Sequence, residues 1–96
     1  MPLFALVCHD KPNALQTRLG AREAHLAYVG ARTDVVKLAG PMMDDAGDMA
    51  GSLFILDLPD RAAVEVFNAG DPYTLAGLWD RVDLKPFKAT IGQLGA

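Results

Sequence analysis

Two segments of this chain are apolar on both sides. In Leu3–His9, the residues Leu3, Ala5 and Val7 alternate with Phe4, Leu6 and Cys8. In Ser52–Leu58, the residues Phe54, Leu56 and Leu58 alternate with Leu53 and Ile55. Successive side chains of a strand point to opposite faces, so strands of this kind sit inside a sheet that is covered twice. That excludes a sheet with one wet face. The same point follows from composition: 51% of 96 residues are hydrophobic, more than one domain of this length hides easily. The excess points to a self-association surface.

The segments between these strands set the order. Asp10-Lys11-Pro12-Asn13 breaks the first strand, and Pro12 or Asn13 suits the start of a helix. The spacing of Leu15, Leu19, Leu26 and Val29 predicts a helix over 14–31 with that row turned to the core. Val35–Met43 reads as a second strand, whose Pro41 lacks a ladder donor and so marks an edge or a bulge. An acidic hairpin loop, 44–51, leads into the third strand. Asp60 caps a second helix with Ala63, Val66 and Phe67 inward, and Gly70-Asp71-Pro72-Tyr73 stops it and opens a short helical turn. The last strand is Leu78–Phe87, with Leu78, Val82 and Leu84 on one face and Trp79, Arg81, Asp83 and Lys85 on the other. The tail from Lys88 to Ala96 carries no assignment.

The order βαββαβ is the ferredoxin-like α+β arrangement, one domain of a four-stranded antiparallel sheet with both helices on one face. The other face would be bare. A second sheet from another copy is the simplest cover, giving a two-fold homodimer through the open sheet face.

Charge and cysteine usage narrow the partners. A net charge of −3 with mixed signs argues against nucleic acid, which calls for a basic stripe. One cysteine makes no internal disulfide, and nothing else points to secretion. No apolar run approaches the ~20 residues of a membrane span, and Met-Pro-Leu-Phe lacks a basic leader. The expectation is a cytoplasmic protein whose partners are a small molecule and its own copy.

Arg22 and His25 lie one turn apart on the first predicted helix. Arg22 interrupts the apolar row and is expected to point toward the sheet, with His25 at the border. A buried guanidinium requires an acceptor; if that is an anionic ligand, the pair frames a small site and His25 serves as acid or base. The plainer readings are a satisfied half-buried histidine and an arginine reaching back to solvent. Asp71 either caps the turn that follows it or reaches across to fix the His25 tautomer, as the acid of a His–Asp dyad does. Asp10 reads as a loop or cap residue within reach of the helix start. Ser52 offers a hydroxyl either to a ligand or to a local bond.

Other chemistry finds little support. Cys8 alternates with Phe4 and Leu6 and reads as core, while His9 falls on the opposite face, against a Cys–His nucleophile pair. There is no Gly-x-Ser-x-Gly elbow. Asp44, Asp45 and Asp48 lack the spacing of a calcium loop and read as a solvated hairpin tip. Neither zinc-ligand spacing nor a phosphate-cradling glycine loop occurs, so no metal or cofactor is expected.

Arg18-Leu19-Gly20-Ala21-Arg22-Glu23-Ala24-His25-Leu26-Ala27-Tyr28 resembles the first-helix motif of the YCII (YciI-like) family. Leu38-Ala39-Gly40-Pro41, Gly51-Ser52-Leu53, Asp71-Pro72-Tyr73 and Val82-Asp83-Leu84-Lys85-Pro86-Phe87 resemble its other signatures, in order along nearly the whole chain. The resemblance implies a dimeric α+β barrel of ferredoxin-like subunits. It also implies a pocket with a histidine and an aspartate, here His25 and Asp71; Tyr73 joins Arg22, Ser52 and Asp10 as the ligand-binding candidates. A related member acts as a dehydrochlorinase on a chlorinated hydroxyhydroquinone, which implies lyase-type or hydrolase-like chemistry on a small anionic or aromatic molecule. The alternative is a non-catalytic small-molecule-binding or accessory domain, since a shared dyad does not transmit a substrate.

Overall fold

In the computed structural model, which describes residues 2–92, the doubly apolar segments become the two inner strands of the sheet. The elements are β1 (Leu3–Asp10), α1 (Leu15–Gly30), β2 (Val36–Met43), β3 (Met49–Asp57), α2 (Arg61–Gly70), α3 (Pro72–Leu75) and β4 (Trp79–Phe87). The strands lie in the order β2-β3-β1-β4, all neighbours antiparallel. This is the ferredoxin-like α+β architecture, the subunit fold of dimeric α+β barrels. Pro41 sits on the edge strand β2 opposite Ser52, where its missing N–H costs no central ladder bond. No helix among the described residues is long and apolar enough to cross a membrane.

Directly opposed residues share a face in an antiparallel sheet, so the register sorts the side chains. Phe4, Leu6 and Cys8 line up with Leu56, Phe54 and Ser52 on one side and with Pro86, Leu84 and Val82 on the other. This is the helix-covered face. Val64 and Phe67 of α2 close over it, with Tyr28 and Val29 of α1 packed at its margin. Each fully buried side chain of this size contributes about 1.5–3 kcal/mol. The opposite face carries Leu3, Ala5 and Val7 beside Leu53 and Ile55, with Leu38 and Met42 from β2 and Asp83 and Lys85 from β4. No element among the described residues covers it.

Several boundaries move. The hairpin loop contracts to residues 44–48, because β2 and β3 extend toward each other; Asp44 Oδ1 accepts from the Ala46 and Asp48 amides at 2.9 and 3.0 Å. Neither Pro12 nor Asn13 caps α1. Ala14 holds that position without a side-chain bond, and Asn13 adopts a φ of 58°. Asp60 does cap α2, accepting from the Ala63 amide at 2.9 Å. There Val64 is the buried residue and Val66 points outward. On β4 the expected alternation fails at its start. The register steps from His9–Arg81 to Asp10–Trp79, so Asp80 is the extra residue of a β-bulge. The bulge turns Trp79 to the helix side, against the Tyr73 ring, rather than to the face of Arg81 and Asp83.

Candidate active site

The inward face of α1 is not its leucine row. Arg18 and His25 are buried at 2% and 8% exposure, whereas Leu19 and Leu26 remain 45% and 52% exposed. At 3.6 residues per turn, positions seven apart nearly superimpose, and the Leu19–Leu26 row lies roughly a quarter-turn away. Arg22 belongs to that flank. It is exposed and does not enter the sheet interface, contrary to the expectation from the apolar row. The buried guanidinium belongs instead to Arg18, and its signal in the sequence was its two-turn spacing from His25.

Arg18 is fastened on three sides. Its Nε and Nη2 donate to Asp10 Oδ2 and Oδ1, both at 2.8 Å, and Nη2 also donates to Ser52 Oγ at 3.0 Å. Its Cζ lies 4.6 Å from the Tyr73 ring centroid. Asp10 is therefore neither loop nor cap. It ends β1 on the same face as Cys8, which places its carboxylate beneath α1 as a two-pronged partner for the guanidinium. Burial works against the Arg18 charge, but the Asp10 bonds and charge outweigh it and hold the guanidinium pKa above its ordinary value.

His25 and Asp71 meet. His25 Nδ1 lies 2.8 Å from Asp71 Oδ1, and the same oxygen accepts from the Tyr73 amide at 2.9 Å. Asp71 thus caps α3 and engages the imidazole at once. A carboxylate only accepts, so this contact sets Nδ1 as the donor and leaves Nε2 as the free nitrogen. Asp71 is fully buried, and its Oδ2 has no partner among the described residues. The imidazole stacks on Tyr73 with centroids 3.9 Å apart and rings 13° from parallel, and meets Phe54 edge-on. Burial raises the Tyr73 phenol pKa, and the Arg18 and Arg22 charges pull it only partly back. Cys8 lies nearby in the core. Burial, reinforced by the Asp71 charge, pushes its thiol up to about 12, which removes it as a nucleophile near neutral pH.

A cavity of about 170 Å³ opens above this cluster, between α1 and β2. Arg18, His25, Ser52, Phe54 and Tyr73 form its floor and walls, with Ala39–Pro41 on one side and Arg22 and Leu26 at the rim. Asp10 and Asp71 stand behind the wall and act through Arg18 and His25. Of the residues expected to touch a ligand, Ser52 and Tyr73 line the cavity, Arg22 lines it from its exposed flank, and Asp10 does not. The cavity compares with the ~150 Å³ that admits a benzene ring.

The fold and this cluster define a class: ferredoxin-like α+β proteins with a buried His–Asp pair at the wall of a small cavity. Within it, the chain belongs to the YCII-related family, whose domain matches residues 2–88. It is 35% identical over 94 residues to Protein YciI of Escherichia coli, covering 90% of this chain and 96% of that one. Among solved structures it resembles the 5-chloro-2-hydroxyhydroquinone dehydrochlorinase TftG from Burkholderia phenoliruptrix, in complex with 2,5-dihydroxybenzoquinone. That match has a TM-score of 0.83 at 33% identity, covering 90% of this chain and 93% of the other. An antibiotic biosynthesis monooxygenase shares the fold alone, with a TM-score of 0.57 at 18% identity, covering 95% of this chain and 100% of that one.

Proposed function

We propose that this domain is a small enzyme that moves a proton on a single-ring, anionic or aromatic molecule, with His25 as general base and Asp71 as its positioning partner. The observation that carries this reading is the 2.8 Å His25–Asp71 contact at the wall of a ring-sized cavity. With Nδ1 engaged, Nε2 is the atom left to take a proton from a bound ligand. Lyase chemistry fits these parts. In an elimination the ligand loses a proton to His25 and expels a leaving anion, so the atoms balance as loss of HX. TftG is named for such a reaction on 5-chloro-2-hydroxyhydroquinone, and that compound is the substrate to assay here.

Chloride release from it is expected to fall at least about 100-fold in His25→Asn, within the range set by a positioned base. The melting temperature should change by no more than about 8 °C, the equivalent of ~1 kcal/mol. Turnover that survives in His25→Asn overturns the assignment. Ring compounds that bind and return unchanged after long incubation would point to a domain for recognition only.

The same reading includes a second copy of the chain. The open face sets a continuous apolar field on β1, β2 and β3 beside a charged row on β4. Leaving it wet costs about 25 cal/mol per Å² of apolar area, and a two-fold contact of like faces removes that cost. Leu38→Glu, on the exposed side of β2, should turn a dimer into a monomer by sedimentation equilibrium. A wild-type monomer at micromolar concentration would refute the pairing.

A further inference from the structure

Arg18 is a buried cation whose hydrogen bonding is incomplete on one side. A guanidinium carries five N–H donors. Nε and both hydrogens of Nη2 are engaged by Asp10 and Ser52. The Asp10 and Ser52 bonds leave the Nη1 pair unused; the Tyr73 hydroxyl lies close enough to the guanidinium to help hold its charge, and Arg18 is part of the cavity wall. Ser52 Oγ accepts from Arg18, which frees its own hydrogen to donate, and Ser52 lines the same cavity. Two neighbouring residues therefore offer N–H and O–H donors to one place. The Tyr73 ring that supports the His25 imidazole also lies under the Arg18 guanidinium, so the donors and the free histidine nitrogen are held on one rigid spacer.

We propose that Arg18, not the exposed Arg22, holds the charged oxygen of the ligand through Nη1, with Asp10 and Ser52 as positioning residues that fix its plane. This rests on the single-ring ligand proposed above and adds its chemical class: a ring bearing one ionised oxygen, carboxylate or phenolate. Asp10 already balances the Arg18 charge, so the site supplies directed donors rather than a surplus of positive charge. That favours a mono-anion over a phosphate dianion, which would face the Asp10 and Asp71 carboxylates without a matching cation.

The test is calorimetric and needs no turnover. Benzoate, 4-nitrophenolate, benzamide and phenyl phosphate are titrated into the full chain at pH 8. Benzoate and 4-nitrophenolate should each bind at least about 10-fold more tightly than benzamide, the scale of a charge-assisted bond; the phenyl phosphate affinity should fall below that of benzoate. If only one of the two anions gains this advantage, that anion names the ligand class. In Arg18→Gln/Asp10→Asn, which neutralises both partners together, the benzoate-to-benzamide ratio should drop to about 2 or less while benzamide binding stays within about twofold. Should that double variant fail to fold, Arg18→Lys keeps a cation beside Asp10 but loses the fork, and the ratio should still fall by about fivefold or more.

A ratio that persists in the Arg18 variants and disappears in Arg22→Gln overturns the assignment, as does tighter binding of phenyl phosphate than of benzoate. In His25→Asn the ratio should remain. Loss of the proton-transfer reading with that ratio intact leaves the Arg18 assignment standing, whereas a wild-type chain that binds none of the four compounds removes both.

Discussion

The two long helices of this domain cover the same sheet and are built on opposite rules. α2 is capped by Asp60, presents Val64 and Phe67 to the core, and leaves Val66 outside. α1 has no side-chain cap, buries Arg18 and His25, and leaves Leu19 and Leu26 at the surface. On α2 the cap and the buried pair Val64 and Phe67 agree with packing, and only Val66 departs from it. On α1 the apolar row and the buried row disagree, and the cavity lies where they do. Departures from local consistency of this kind are expected at functional sites. The difference separates a helix that holds the sheet from a helix that holds chemistry.

Substitutions sharpen or break that contrast. The largest effect belongs to α2: Phe67→Ala should cost about 3–5 kcal/mol in urea unfolding, the usual range for a buried phenylalanine. A loss below ~1 kcal/mol would mean that α2 is not the packing helix. Asp71→Ala removes the α3 cap and the His25 contact together and should cost about 1–3 kcal/mol. Next comes a pH effect. The Cys8 thiol titrates near 9.0 when free of its surroundings and at about 12 in the fold. Between those values the unfolded chain holds fewer protons than the native one, so stability falls as pH rises from about 9 to about 12. Below 9 this contribution is fully present. Cys8→Ala should flatten that part of the stability–pH curve, and an unchanged slope would refute the cause.

Smaller effects finish the comparison. Asp60→Ala should cost about 1 kcal/mol through loss of the α2 cap. Leu19→Gln should change stability by no more than ~0.5 kcal/mol, as an exposed site does. A cost of about 2–5 kcal/mol there, the range for a core leucine, would restore the leucine row as the inward face of α1.

The fold was legible because its evidence is periodic. Two-sided strands, Pro41 at an edge and Asp60 before an apolar helix all follow from backbone geometry, and each found its place. His25 and Asp71 were legible as residue types in promising positions, but whether Asp71 capped or paired was open; one oxygen does both. Arg18 was missed for a physical reason. A row of leucines normally defines the buried face, and here that row is turned away because Arg18 finds its acceptors in Asp10 and Ser52, 8 and 34 residues away in sequence. Contacts of that kind leave no periodic trace. Trp79 was misassigned because strand alternation holds only until a bulge interrupts it.

That bulge also changes how the protein can be edited. With Asp80 as the extra residue, β4 consists of two stretches in different phase, one facing Tyr73 and Arg18 and the other serving the ladder against β1. Loss of a single codon at Asp80 would bring them back into phase. It would set Trp79 directly before Arg81 and opposite Asp10, still on the helix side, while leaving the pairs from His9–Arg81 to Leu3–Phe87 in register. The Trp79 ring that backs Tyr73 can therefore keep its side of the sheet through a change of length.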